Sequence, residues 1–128
     1  NIVKQFGLID YQDAINEMYN SSLLLLVVHN DPITPKFCIP AKLFEYMAAD
    51  RPILSISPKG ASSDIIEKHK IGVNILHHET NKIEQQLISY YKLYLKGSLL
   101  NNNIDKNILK QYDREKLTDK LARVLNDL

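Results

Sequence analysis

Apolar residues occur in short blocks whose spacing predicts a strand or a helix for each part of the chain. The longest block, residues 23–28 in SSLLLLVVHN, is apolar at consecutive positions. Both faces of a strand with this pattern are covered by helices, so we expect it at the centre of a parallel sheet. Three shorter blocks, at residues 3–6, 52–57 and 73–76, also have the length and composition of strands.

Helical spacing fills the segments between these blocks. Asp10 can cap a helix that runs through Met18, and Pro40 can open a second one. Further helices are predicted over residues 64–70, from about residue 80 onward, and over residues 113–128. Strands that alternate with helices build βαβ units. The sequence therefore predicts one α/β domain over residues 1–128, with a Rossmann-like parallel sheet of about four strands, flanking helices and C-terminal helices.

Composition and charge exclude several classes of function. The chain has 16 basic and 15 acidic residues and a net charge of +1, which leaves no basic surface for a nucleic acid or an anionic membrane. Cys38 is the single cysteine, so no internal disulfide can form and a cytoplasmic location is expected. The longest apolar block is far shorter than the roughly 20 residues of a membrane span. No ligand pair has zinc spacing, and we expect neither a metal nor a cofactor.

The helix that Pro40 opens, within IPAKLFEYMAADRPIL, carries a cation in its first turn. If Pro40 is the first helical residue, the cap falls on Ile39, whose side chain cannot accept a hydrogen bond from the first-turn amides. Lys42 then lies where the helix dipole disfavours a cation by up to about 1 kcal/mol. An anion bound at those amides would reverse the sign of that interaction.

The helical wheel divides this segment into two faces. At about 100° per residue, one face should hold Pro40, Leu43, Phe44, Met47 and Ala48, and the other Lys42, Glu45, Tyr46 and Ala49. Ligands of open parallel sheets bind beyond the carboxyl ends of the strands, where this helix should begin. Uncapped amides with Lys42 can hold a diphosphate, and Glu45 can accept two hydrogen bonds from a ribose diol. The alternative is a solvated Lys42–Glu45 pair worth about 0.2–0.5 kcal/mol.

The segment PAKLFEYMAADRPIL resembles the P-x-K-x-x-E-Y-x-A-x-x-x-P segment of the C-terminal, donor-binding domain of GT-B-fold retaining glycosyltransferases, particularly the large family four. FGLIDYQDAINEMYNSSLLLLVV resembles the strand and helix that precede the motif in that family, and SPKGASSDIIEKHKIGVNI resembles the loop, helix and strand that follow it. YDREKLTDKLARVLNDL is similar to the closing helix of such enzymes. The resemblance covers nearly the whole chain.

The resemblance implies transfer of a sugar from a nucleotide diphosphate sugar, with retention, to a glycan or lipid-linked acceptor, as in polysaccharide biosynthesis. According to this resemblance, Glu45 would bind the ribose hydroxyls and Lys42 would face the diphosphate. The chain begins NIVKQFG without an initiator methionine, so we expect a fragment that lacks the N-terminal acceptor domain and is catalytically silent alone. Peripheral attachment to the inner face of the membrane would belong to the parent protein, with no membrane contact from this fragment.

One position departs from the family pattern. Many members carry a further glutamate eight positions before the ribose-binding one, often in contact with the donor sugar, and Phe37 stands there in this chain. Asp31 could substitute from the loop, or the backbone of Phe37, Cys38 and Ile39 could contact the sugar or phosphate. His29, at the end of its strand, is a donor contact or a structural hydrogen-bonding residue.

Two further points stay open at this level. Lys59 and Gly60 follow the strand block at residues 52–57 on the ligand side of the sheet, where they form either a phosphate or sugar contact or a plain turn. The departure at Phe37 also permits a different function, in which the chain is a non-catalytic α/β interaction module or nucleotide-binding module.

Overall fold

Three short parallel strands alternate with helices in the structure of the protein, a computed structural model that describes residues 3–29, 31, 37–99 and 101–127. The elements are α1 (Tyr11–Asn20), β1 (Leu24–Val27), α2 (Ala41–Ala49), β2 (Ile53–Ile56), α3 (Ala61–His69), β3 (Gly72–Ile75), α4 (Thr80–Leu95), α5 (Lys106–Gln111) and α6 (Arg114–Asn126). The predicted α/β class is confirmed. Each predicted helix has a counterpart, with ends that differ by a few residues.

The sheet has the order β1-β2-β3, with all neighbours parallel. Leu24 pairs with Ile53, and Ile53 pairs with Gly72. The central strand is therefore β2, and the prediction that residues 23–28 form the central strand is wrong for the sheet that the described residues build.

The burial of β1 explains this difference. Leu24 and Leu26 are buried, whereas Leu25 and Val27 are 53% and 59% exposed. Helix α4 covers the second face only over β2 and β3, where Tyr90 packs with Leu54. A run of consecutive apolar residues does not reveal whether a helix actually reaches both faces, so the pattern could not distinguish an edge strand from a central one.

The predicted strand at residues 3–6 is not formed. These residues have no regular secondary structure, and Val3 and Phe6 are 75% and 68% exposed. A strand is stable only when its amides pair with a neighbour, and within the described ranges no strand lies beside this segment. Three strands, not four, are present in the part of the chain that the structure describes.

The main core lies on the face of the sheet that α2 and α3 cover. Each of these helices carries apolar residues at helical spacing, so each can bury one side against the sheet. The buried residues that meet there are Leu24, Leu26, Val28, Leu43, Tyr46, Met47, Ala49, Ile53, Ile65, Ile66 and Ile71. A smaller cluster on the other face joins Leu54, Ile75 and Tyr90. The two crossover helices α2 and α3 thus share one face and begin at the same edge of the sheet.

The turn between α2 and β2 binds two distant parts of the chain. Asp50 adopts a left-handed conformation, with φ 56°, that ends α2, and its carboxylate accepts a hydrogen bond from the amide of Ile104 at 3.0 Å. The side-chain amide of Asn102 donates to the carbonyl of Arg51 at 2.7 Å. The Arg51 guanidinium donates to the carbonyl of Tyr19 at 2.6 and 3.0 Å. The end of α1 and the segment before α5 are therefore fixed to one turn.

Tyr112, which follows α5, packs against both crossover helices. Its ring lies 5.3 Å from that of Phe44 in α2, measured between ring centroids. Its hydroxyl oxygen is 2.8 Å from Nε2 of His69 in α3. Burial lowers the pKa of His69, with the charge of Lys68 as the smaller cause. Neutral His69 is therefore the form that this packing favours.

Helix α6 confirms the predicted C-terminal helix, but its apolar face is not covered. Leu117, Leu121, Val124 and Leu125 are all exposed. The predicted end at Leu128 lies outside the described residues. Within those residues, α6 makes its contacts chiefly with α5. None of the helices in the described ranges has the length and apolar character needed to cross a membrane.

A methyl group at Gly72 should destabilise the sheet. A Cβ atom there would lie 2.0 Å from the carbonyl oxygen of Ile53, so β2 and β3 would have to separate. We expect Gly72→Ala to lower the free energy of unfolding by about 2–3 kcal/mol, as an overpacked core does. Urea denaturation measures this, with Gly7→Ala as the control because a Cβ at Gly7 would meet nothing within 4 Å. Equal stability of the two variants would contradict the packing at Gly72.

Acid should weaken the contact of α3 with the segment after α5. A folded-state pKa below the unfolded value means that the unfolded chain binds more protons, so His69 contributes stability above about pH 6.5 that is lost as the pH falls. We expect the melting temperature of the wild type to fall more steeply than that of His69→Gln between about pH 7.5 and pH 5.5.

The control for this measurement is His78→Gln, because His78 is exposed. That variant should follow the wild-type curve. Parallel curves for the wild type and His69→Gln would show that His69 does not couple folding to pH.

Candidate donor-binding site

The opening of α2 leaves backbone amides available for an acceptor. The helix begins at Ala41, with Pro40 as its cap at φ −59° and ψ 135°, so the predicted cap at Ile39 is wrong by one residue. A proline ring has no acceptor, so Pro40 makes no side-chain cap hydrogen bond at this end. The amide of Leu43 donates to the carbonyl of Pro40 at 3.0 Å. Within the described part of the chain, the amides of Ala41 and Lys42 have no such partner.

Lys42 and Glu45 are three residues apart on α2 and therefore lie on the same side of it. Lys42 is exposed and Glu45 is half-buried. The hydroxyl of Tyr11 in α1 donates to Glu45 Oε1 at 3.4 Å, a long hydrogen bond that keeps the carboxylate on the side of α1. In the described ranges Lys42 and Glu45 form no ion pair with each other. The alternative in which they only neutralise each other is therefore not the arrangement that the structure adopts.

Tyr46 and Ala49 share the side of α2 that carries Lys42, as the helical wheel predicts, but burial does not follow the two predicted faces. Both are buried, whereas Ala48, predicted on the apolar face, is exposed. The Tyr46 hydroxyl donates to the carbonyl of Leu25 at 3.2 Å, so this polar group is satisfied although the ring is buried. Burial raises the pKa of Tyr46, and the nearby Glu45 carboxylate adds to the effect. The wheel gives the angle of each residue but not which positions the sheet and the neighbouring helices cover, so it could not show that Tyr46 is buried with a partner on the sheet.

The segment before α2 places its residues unevenly. Phe37 is 82% exposed, Cys38 is an exposed free thiol, and Ile39 is half-buried against the core. His29, two residues after the end of β1, is exposed, and Asp31 is half-buried. Residue 30 and residues 32–36 lie outside the described residues. The predicted roles of these five residues in sugar or phosphate contact stay predictions.

A second loop reaches the same edge of the sheet. It follows β2 and contains Lys59, whose side chain is exposed, and Gly60, which caps α3. Because parallel strands end at one edge, this loop and the opening of α2 lie on the same side of the molecule. The sequence reasoning missed the polar residues that support this loop, the buried Ser57 and the half-buried Asn74. The available signal was the pair of serines in the strand block ILSIS, where apolar residues are the norm.

Two cavities, one beside α2 and one beside α4, are lined by residues other than the first three of α2. A cavity of about 260 Å³ beside α2 is lined by Phe44, Ala48 and Tyr112, on another side of the helix from Glu45. A groove of about 330 Å³ between the start of β1 and α4 is lined mainly by apolar residues, among them Leu23 and Tyr90. Neither is lined by Lys42 or Glu45.

The chemistry available at this edge is that of amides, a cation and a carboxylate. Among the described residues, no three His, Cys, Asp or Glu side chains come together as metal ligands. Two unpartnered amides and Lys42 can bind a negatively charged group by donating hydrogen bonds to it, and Glu45 can accept hydrogen bonds from hydroxyl groups. Comparison of the chain with protein-family models, with curated proteins and with solved structures finds no match.

Proposed function

We propose that the chain is the donor-binding part of a retaining GT-B-type glycosyltransferase, which transfers a sugar from a nucleotide diphosphate sugar to a glycan or lipid-linked acceptor. The observation that carries the proposal is the opening of α2, which has no side-chain cap from Pro40, with Lys42 and Glu45 on one side of the helix and, among the described residues, not paired with each other. This opening lies at the carboxyl edge of a parallel sheet, the usual ligand side of such a fold. The acceptor would bind to a domain outside this chain.

The diphosphate would bind at the first turn of α2. The amides of Ala41 and Lys42 and the positive end of the helix dipole favour an anion, and the Lys42 ammonium adds a full charge. In sugar transfer, negative charge develops on the diphosphate as the bond to the sugar breaks. Preorganised donors at that position stabilise the transition state more than the ground state. Positioning and charge stabilisation are thus the contribution of this part of the protein.

The ribose would bind at Glu45, one turn further along α2. A carboxylate accepts hydrogen bonds from both hydroxyls of a vicinal diol. The contact with Tyr11 holds one oxygen of Glu45 towards α1, and the half-buried side chain leaves the carboxylate accessible to a ligand. Lys42 and Glu45 are three residues apart, so a diphosphate and the ribose attached to it fit the same side of the helix.

The second candidate is a non-catalytic α/β interaction or nucleotide-binding module. It is favoured by Phe37 at the position of the earlier family glutamate and by the uncovered apolar residues Leu25 and Val27 on the sheet. The two candidates differ in turnover. A longer form of the protein that includes an acceptor domain should transfer sugar to a glycan or lipid-linked acceptor under the first proposal, and should only bind under the second.

Replacing Glu45 should weaken nucleotide binding through the ribose. We expect Glu45→Gln to bind UDP, GDP or ADP, whichever the wild type binds most tightly, about tenfold more weakly, because it loses charge-assisted hydrogen bonds to two hydroxyls. The 2′,3′-dideoxy form of the same nucleotide lacks those hydroxyls, so the wild type and the variant should bind it equally. Titration calorimetry with the chain measures all four affinities.

The control is Glu84→Gln, a substitution of the same kind at an exposed position of α4, which should leave every affinity unchanged. Equal affinity of the wild type and Glu45→Gln for the ribonucleotide would refute the role of Glu45. Absence of binding of all three nucleotides to the wild type would refute the donor-binding proposal itself.

A further inference from the structure

A chain of buried hydrogen bonds lies at the carboxyl end of β2. Ser55 Oγ donates to Ser57 Oγ at 3.3 Å, and Ser57 Oγ donates to Asn74 Oδ1 at 2.7 Å. The amide nitrogen of Asn74 returns a hydrogen bond to the carbonyl of Ser57 at 3.2 Å. Ser55 and Ser57 are 0% and 1% exposed. Ser55 of the central strand, Ser57 directly after that strand and Asn74 of β3 therefore form a continuous polar connection.

This connection holds the backbone beyond the end of β2. The strand itself ends at Ile56, yet the amide of Ser57 still donates to the carbonyl of Ile75 at 3.1 Å. The Asn74 side chain accepts a hydrogen bond from the Ser57 hydroxyl and donates one to the Ser57 carbonyl. Apolar side chains would fill the same space without any directional requirement. Hydrogen bonds with two fixed directions instead determine where the chain leaves the sheet.

The far end of the same loop is also fixed. The Gly60 amide donates to Ser63 Oγ at 2.9 Å, and Ser63 Oγ donates back to the Gly60 carbonyl at 2.9 Å. Only Pro58 and Lys59 lie between the two anchored ends. Proline restricts its own backbone angle. The exposed Lys59 side chain therefore belongs to a short segment that is fixed at both ends.

A buried hydroxyl near this loop has no use within the described residues. Ser62, in the first turn of α3, is 3% exposed, and its Oγ has no hydrogen-bond partner. Side chains of a helix tilt towards its N-terminus, so this hydroxyl lies at the end of α3 that adjoins Lys59. A buried polar group without a partner is costly, so the start of α3 holds an unused hydroxyl beside the loop of Lys59.

We propose that Lys59 is a second cation of the donor site, in contact with the diphosphate, and that Asn74 is a positioning residue that holds Lys59 there through Ser57. The inference rests on the proposed function, because Lys42 and Lys59 follow neighbouring parallel strands and project at the same edge of the sheet. The diphosphate then lies between the openings of α2 and α3. Lys59 contacts the ligand, whereas Asn74 acts only by way of the loop.

Titration of single and double variants tests this assignment. The probe is the nucleoside diphosphate, among UDP, GDP and ADP, that the wild-type chain binds most tightly, together with its unphosphorylated nucleoside. We expect Lys59→Ala to weaken binding of the diphosphate about threefold to fivefold, the size of an exposed charge contact, and to leave the nucleoside unaffected. Asn74→Ala should cause a similar loss, and the double variant should lose no more than either single variant, because both remove one contact.

A merely structural role for Asn74 predicts a different result. In that case Asn74→Ala lowers the melting temperature but leaves diphosphate affinity unchanged, or its effect adds to that of Lys59→Ala. Asn74→Thr removes the amide donor to the Ser57 carbonyl without adding a charge and should reproduce the loss, which provides a second variant if Asn74→Ala does not fold. Lys68→Ala, at the opposite end of α3, is the control for general charge and should have no effect.

The outcomes separate this inference from the proposed function. If Glu45→Gln weakens binding while Lys59→Ala does not, the donor site stands and the role of Lys59 and Asn74 falls. If Lys59→Ala weakens the nucleoside as much as the diphosphate, the contact is not with phosphate and the inference is wrong. If the wild type binds none of the three nucleotides, the proposed function and this inference are both refuted.

Discussion

The parallel direction of the three strands is the constraint on which the rest of the structure depends. A parallel pair cannot be joined by a tight hairpin. Each strand must therefore be followed by a crossover that returns the chain to the end of the sheet where the strands begin. Here α2 and α3 are those crossovers, and both pack on the same face. Their first turns must consequently lie at the carboxyl edge. Lys42 and Lys59 are 17 residues apart in the sequence, and only this constraint brings them to one side of the molecule.

The turn at Asp50 and Arg51 determines how the remaining helices attach to this framework. Asp50 ends α2 in a left-handed conformation, and its carboxylate accepts a hydrogen bond from the amide of Ile104. The Arg51 guanidinium donates to the carbonyl of Tyr19, near the end of α1. The same two residues therefore set the end of α2, the approach to α5 and the position of α1. Glu45 depends on this arrangement indirectly, because its contact with Tyr11 requires α1 to lie beside α2.

The candidate site could be predicted in part. The sequence located Lys42 and Glu45 on one helix and one side of it because a helix has a fixed angle per residue. It also indicated an uncapped start, since neither Ile39 nor Pro40 has a side chain that accepts a hydrogen bond. It could not place Tyr46, because whether a tyrosine is buried depends on a partner for its hydroxyl, here the carbonyl of Leu25. The family resemblance named roles for these residues, and those roles stay proposals.

The sequence by itself determined the helices other than α5, the apolar blocks that can be strands, and the proline at which a helix begins. These follow from periodicity and backbone restriction, which act over a few neighbouring residues. Only the tertiary structure decided that β2 is central, that residues 3–6 remain without a partner strand, and that Asn74 binds Ser57 across the sheet. Strand order and buried hydrogen bonds join residues far apart in the chain, and the pattern around each residue contains no record of the partner that it meets.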